Sequence, residues 1–555
     1  SASTSASPTF SRFYPAKSIR LPISHCSVEV LWVIMRTTSL LLGLLLGLAG
    51  TSKADVNLTV DLNYAKYEGV KEEGGVSHWL GIRYAAPPIG ELRFRAPRPP
   101  TTNQTLQKAD TYGHVCYSSP STSLNPALDE DCLFLDVYAP TNSSSSLPVF
   151  VWFPGGGFNS LSDPDTSASP LIEAGDFGFV VVTITYRVGP WGFLASREVK
   201  DNGDLNVGLL DQRRALHWVQ RHIHLFGGDP NHVTIGGASA GAASVDLHLS
   251  AYGGRDDGLF HAAAAESQSF GAQLTVEESQ YQYDALVKRV GCGNATDSLR
   301  CLRNVDIQTL TENNPNIPTP GSAGGAPNFM WSNVIDGNFT PDYTYKLFAE
   351  GKFVKVPVIF GDDTNEGTVF TPKNISDYTS MNNFLRNNFV NLNSTHLDKI
   401  DSLYTEAGQY PGAGAYWRTA ANAYGEMRYN CPGINLSATF DQAGIPSYNY
   451  HWDYLTSQNG ETGIGVQHTA EFGSIWQQSD HPLSVIIASY WASFIRSKDP
   501  NTYKLESAPT WETFGAGMQR VHFPNDSSPV AMENVPDDQK ERCEYLSSIA
   551  VDLSQ

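Results

Sequence analysis

At 555 residues, with 41% hydrophobic and 11% aromatic content, the chain is long enough to bury a large core. Its 57 acidic against 37 basic side chains give a net charge of −20, which argues against nucleic acid and anionic membrane surfaces as partners. Length alone suggests several domains, but large α/β enzymes reach this size as one.

Residues 1–34 precede a good start at Met35 and read as an upstream segment outside the mature protein. Met35-Arg36 and the apolar run Leu40 to Ala49 read as a signal peptide over residues 35–54. Ser52-Lys53-Ala54 supplies the small residues of a cleavage site, which makes Asp55 the mature N-terminus and residues 55–555 a single domain. The run is too short to span a bilayer, and no later stretch is apolar enough. Cys26 falls in the upstream segment, leaving Cys116, Cys132, Cys292, Cys301, Cys431 and Cys543. In a secreted, extracellular chain an even set implies disulfides. Pairing Cys116 with Cys132 and Cys292 with Cys301 is the economical choice, and it leaves Cys431 for Cys543. The spacings do not resemble a metal site. Sequons at Asn57, Asn103, Asn142, Asn294, Asn338, Asn374, Asn393, Asn435 and Asn525 imply a glycoprotein.

Thr59 to Tyr67 and Trp79 to Tyr84 read as early strands. Apolar alternation from Cys132 gives a strand through Tyr138, and Leu147 to Phe153 is apolar throughout, as in a sheet covered on both faces. That strand runs into Pro154-Gly155-Gly156-Gly157-Phe158. Phe179 to Tyr186 is another buried strand, and Leu209 to Phe226 has helical spacing. Later strands are Val356 to Phe360 and Pro446 to Tyr454. Residues 371–430 read as an inserted helical cap, Asn313 to Pro327 as a surface loop, and Pro482 to Ile495 as a late helix. The rhythm predicts an α/β fold with a large, mostly parallel sheet and helices on both faces.

The chain turns on His232 to Val245. A β-branched run passes through Gly237-Ala238-Ser239-Ala240-Gly241 into Ala-rich sequence. This is a G-x-S-x-G pattern between a strand and a helix, which holds a serine hydroxyl exposed on a sharp turn. Gly237 and Gly241 lie where only small residues fit. A serine nucleophile needs a base, and the base needs an acid to orient it. Five histidines follow at a sufficient distance: His396, His451, His468, His481 and His522. His468 lies in a glycine-bearing loop just past a strand, where such sites sit. The acid should follow the strand Val356 to Phe360, where Asp362, Asp363 and Glu366 compete.

Several long motifs in order carry a resemblance: Glu130 to Leu135, Gly155-Gly156-Gly157-Phe158, Tyr186 to Phe193, Asn206 to Gln212, Phe226 to Pro230 and the Ser239 turn. The chain resembles the type-B carboxylesterase/lipase family, the cholinesterase-like α/β-hydrolases, and looks most like its secreted fungal carboxylesterases. The resemblance implies the α/β-hydrolase fold and a serine carboxylic ester hydrolase. It implies Ser239, Glu366 and His468 as catalytic triad, and Gly156, Gly157 and Ala240 as oxyanion hole. Ser267 and Glu471 match family positions that support the histidine. The family often has Glu where this chain has Ala238. The implied chemistry needs no cofactor and no metal; the partner is a small-molecule or lipid-like ester.

Lipases, sterol esterases and feruloyl-type esterases share this triad. Members that serve as binding modules usually lack the nucleophile, which this chain keeps. The piece between Cys116 and Cys132 lacks the Trp that would hold a quaternary ammonium. It is also too short and polar for the amphipathic flap of a lidded lipase, so an accessible gorge and dissolved esters are expected.

Overall fold

In this computed structural model the described residues are 56–142, 146–405, 407–479, 481–525 and 528–555. The upstream segment, the signal peptide, Asp55 and Cys26 lie outside them. Eleven strands form one twisted sheet: β1 (Val70–Lys71), β2 (Val76–Arg83), β3 (Phe134–Pro140), β4 (Leu147–Phe153), β5 (Val180–Ile184), β6 (Gly228–Ala238), β7 (Ala262–Glu266), β8 (Val358–Asp363), β9 (Ser447–Trp452), β10 (Gln519–Phe523) and β11 (Ala531–Asn534). Their order is β11-β10-β9-β8-β7-β6-β4-β5-β3-β2-β1. Pairings from β5 and β4 through β10 are parallel. Those at the two ends are antiparallel. The central strands are apolar on both faces because both are covered. Val149, Val151, Val182 and Val233 face one cluster, and Phe150, Val181 and Ile359 the other.

Helix α1 (Val207–His222) buries Leu216 and Val219 on the first face, and α2 (Ala240–Leu249) follows the serine turn there. The late helix α3 (Pro482–Ser497) covers the second face with Ile487, Tyr490, Trp491 and Phe494. Fully burying one such side chain contributes about 1.5–3 kcal/mol.

The first expected strand is two. Thr59–Asp61 and Ala65–Glu68 form a hairpin in a separate three-stranded sheet. Asn63 breaks the run at φ 68°, and its N–H bonds the Asp61 carboxylate at 2.9 Å, the local turn that Asx residues favour.

Residues 371–430 carry helices Tyr378–Asn388, Ser394–Leu403 and Trp417–Gly425. They form a lobe with the helices Cys431–Gln442 and Asp537–Ser548, sharing Met381, Leu385, Tyr424, Ile434 and Leu546. Cys116 pairs with Cys132, Cys292 with Cys301, and Cys431 with Cys543. The last closes a separation of 112 residues, which in chain-entropy terms stabilises by roughly 4–5 kcal/mol.

One buried acid in the sheet sets a pH dependence. Asp136 on β3 is 6% exposed. Its carboxylate accepts from Gly81 N–H at 2.7 Å and from Thr183 Oγ1 at 3.2 Å. Burial outweighs these bonds and pushes its pKa from 3.8 up to about 7. Across that window the folded chain holds a proton the unfolded chain has lost, so this group's stabilisation is complete below the lower value and is lost as pH rises through the upper one. Asp136→Asn is therefore expected to flatten the fall in stability between pH 4 and 7, by on the order of 4 kcal/mol at most. Urea midpoints at three pH values for both proteins check it, and equal slopes refute it.

Candidate active site

Strand β6 ends at Ala238 and α2 begins at Ala240, so the reversal rests on Ser239. Its backbone sits at φ 57°, ψ −118°, which costs an L-residue of order 1–3 kcal/mol. The surroundings hold it there. A Cβ on Gly237 would fall 2.4 Å from Gly241, and one on Gly241 would fall 1.9 Å from the Phe153 carbonyl. Ser239 N–H donates to the Glu266 carbonyl at 3.1 Å. The side chain opens on a cavity of about 250 Å³ lined by the glycine loop, Trp152, Phe329, Phe370, His468 and Phe472.

The glycine loop needs its glycines. Gly156 and Gly157 have φ 112° and 63°, a region that favours glycine. The space a Gly157 side chain would take is filled by the Phe329 ring, 2.1 Å from the Cβ position. Asn159 Nδ2 ties the loop down, donating to the carbonyls of Gly157 at 2.6 Å and Trp331 at 2.8 Å. Ala240 follows the serine at the N-terminus of α2, an end that favours negative charge.

The loops after β8 and β9 meet beside this turn. Asn365 N–H donates to the Val466 carbonyl at 2.8 Å, and Val466 N–H returns to Asn365 Oδ1 at 3.0 Å. This brings His468 Nδ1 to 2.5 Å from Glu366 Oε2. Glu366 is buried, and its Oε1 accepts from Asp363 N–H at 2.9 Å. The His468 ring packs 4.3 Å from that of Tyr429 and 5.0 Å from that of Phe370. Its Nε2 is buried without a hydrogen-bond partner, and His468 lines the cavity that holds Ser239.

Of the three competing acids, Glu366 alone bonds His468. Asp362 and Asp363 are consecutive on β8, so they point to opposite faces. Asp362 packs against Gly433. Asp363 accepts from Ser267 Oγ at 3.2 Å and Ala470 N–H at 3.0 Å. Ser267 in turn accepts from Thr469 N–H at 2.9 Å, and Glu471 accepts from Tyr450 Oη at 2.7 Å. Both thus support the chain next to His468. Burial, then the charges of their neighbours, pushes the carboxyls of Glu266, Asp362, Asp363 and Glu471 upward, toward the neutral acids. His451 sits elsewhere, bonded to Glu533 at 2.9 Å and stacked on His522. Burial holds its pKa down, to about 4.

A model of the carboxylesterase family matches residues 57–543. The chain belongs to the carboxylesterase family. It is a carboxylic ester hydrolase. It is 30% identical to secreted lipase 4 of Gibberella zeae over 84% of this chain and 85% of that protein. It is likewise 30% identical to lipase 2 of Geotrichum candidum, over 87% and 93%. The crystal structure of Aspergillus niger EstA superposes with a TM-score of 0.87 at 40% identity, covering 90% of this chain and 99% of that one.

This carboxylesterase carries helices in residues 371–430, where an inserted cap was expected. Residues 371–430 do not line the cavity, and neither does the loop from Cys116 to Cys132. Phe329, Tyr429 and Asp363 carry no motif of their own. Only the alternation of β8 separates Asp363, turned toward the histidine loop, from Asp362.

Proposed function

We propose that the protein is an exported serine esterase that cleaves small, dissolved carboxylic esters through an acyl-serine intermediate. The observation that carries this reading is a histidine bonded to a buried glutamate, its other nitrogen unpartnered, lining the same cavity as a strained serine. Ser239 attacks the ester carbonyl while His468 takes its proton. Glu366 fixes the imidazole and offsets its charge. N–H groups of Gly156, Gly157 and Ala240 receive the tetrahedral oxyanion, each such donor being worth roughly 3–4 kcal/mol. His468 returns the proton to the leaving alcohol. It then activates water against the acyl-serine.

Three features support export. All six cysteines among the described residues are paired. The sequon asparagines are exposed except Asn435, which is half-buried. A leader-like segment precedes the domain, and one relative is named a secreted lipase.

Relatives named lipases favour a second reading, a true lipase acting at an oil surface. The aromatic cavity of about 250 Å³ and the absence of the short disulfide loop from its lining favour short acyl chains in solution. Measuring rate against a short-chain triglyceride through its solubility limit decides between them. A smooth saturating curve is expected. A sharp jump on reaching the emulsion replaces the esterase reading with the lipase one.

A further inference from the structure

Arg428 lies in the wide turn Glu426–Asn430 and is 8% exposed. Its guanidinium sits 4.9 Å over the ring of Phe329 and 5.7 Å from that of Tyr429. On another side it rests on Gly271, where a Cβ would fall 3.1 Å from Nη2. No carboxylate pairs with it among the described residues, and its buried Nε makes no hydrogen bond. Arg187, Arg93 and Arg520 are compensated by Asp211 at 2.7 Å, Glu130 at 2.5 Å and Glu533 at 2.6 Å, while Arg303 and Arg418, also buried, bond backbone carbonyls and lie away from the cavity.

An unpaired charge taken out of water is expensive. Its field is also weakly screened there, falling off only with distance. The two rings that Arg428 touches are those that touch the chemistry. Phe329 fills the space beside Gly157, and Tyr429 packs on His468. Burial pulls the pKa of the guanidinium down, and the facing phenols of Tyr424 and Tyr429 together raise it by more. The cation therefore stands one aromatic ring behind the glycine loop, where negative charge develops on the substrate oxygen. The imidazolium that forms at the same moment has Glu366 as its own counter-ion.

We propose that Arg428 is an electrostatic positioning residue, a buried cation without a carboxylate partner among the described residues, whose field favours the tetrahedral anion over the neutral ester. The proposal rests on the serine mechanism above, and the experiment separates the two. Arg428→Met keeps the stem and removes the charge, while Arg428→Lys keeps the charge. Gly271→Asp leaves Arg428 in place and sets a carboxylate against it, which covers the case where Arg428→Met does not fold. The readouts are kcat and KM on a short-chain ester. Beside them stand the affinities for a trifluoromethyl ketone, which forms a charged serine adduct, and for its neutral methyl ketone counterpart.

Arg428→Met and Gly271→Asp are each expected to lower kcat about tenfold with KM within twofold. The trifluoromethyl ketone should bind about tenfold more weakly and the methyl ketone unchanged, and Arg428→Lys should keep most of both. A rise in KM at unchanged kcat would make Arg428 a mere support for Phe329 and overturn the proposal. So would equal losses in the Lys and Met variants, or an unchanged ketone ratio. A Ser239→Ala protein that stays active removes the serine mechanism and this proposal together. A dead Ser239→Ala protein beside a fully active Arg428→Met protein removes this proposal alone.

Discussion

Ser239→Ala is expected to lower kcat by roughly four to six orders of magnitude, because nucleophile and base act as a unit and neither works alone. The fold should survive. The substitution removes one hydroxyl from the cavity floor and no packed volume, since Ser239 is 9% exposed and its side chain holds no described hydrogen bond to the scaffold. Losing a side-chain oxygen at a positive φ leaves a backbone that Gly237 and Gly241 already constrain. Circular dichroism and the thermal midpoint should match the parent. Turnover above about a hundredth of the parent, measured on protein freed of contaminating esterases, would remove Ser239 from the chemistry.

Glu366→Gln is expected to cost about a thousandfold to ten-thousandfold in kcat, the scale of losing the acid in other triads. An amide at Glu366 still fills the site and still reaches His468 Nδ1, yet carries no charge to set against the imidazolium. It also presents N–H as readily as oxygen to that ring, which favours the wrong tautomer. Asp362→Asn and Asp363→Asn should each stay within about tenfold. Their carboxyls are pushed toward the neutral form by burial, so an amide changes little. Steady-state kinetics on the three purified variants check this. A dead Asp362 variant beside an active Glu366 variant would mean the acid is another residue.

How much of this was legible depends on range. The parallel core strands were readable because Val149 to Phe153 and Val180 to Ile184 are buried on both faces and so apolar without alternation. The serine turn was readable because its constraint is local: small residues two positions either side of Ser239. The acid was not. Asp362, Asp363 and Glu366 lie within five positions of one another, and what separates them is the direction of a strand and a contact with a loop a hundred residues later. The family motif chose where spacing could not. Arg428 and Tyr429 were invisible for the same reason, since nothing in their neighbourhood announces that they pack against residues 329 and 468. The split of the first strand has a local signal: Asp61 and Asn63 bracket a turn.

The disulfide from Cys431 to Cys543 encloses His468, while Ser239 and Glu366 both precede it. Synthesis therefore delivers Ser239 and Glu366 before His468. On the triad reading, a chain still emerging from the ribosome carries Ser239 but lacks the base that takes its proton. On that reading, nascent and truncated chains are chemically silent toward the esters of the compartment that makes them, and competence arrives only with the segment whose covalent closure needs an oxidising environment.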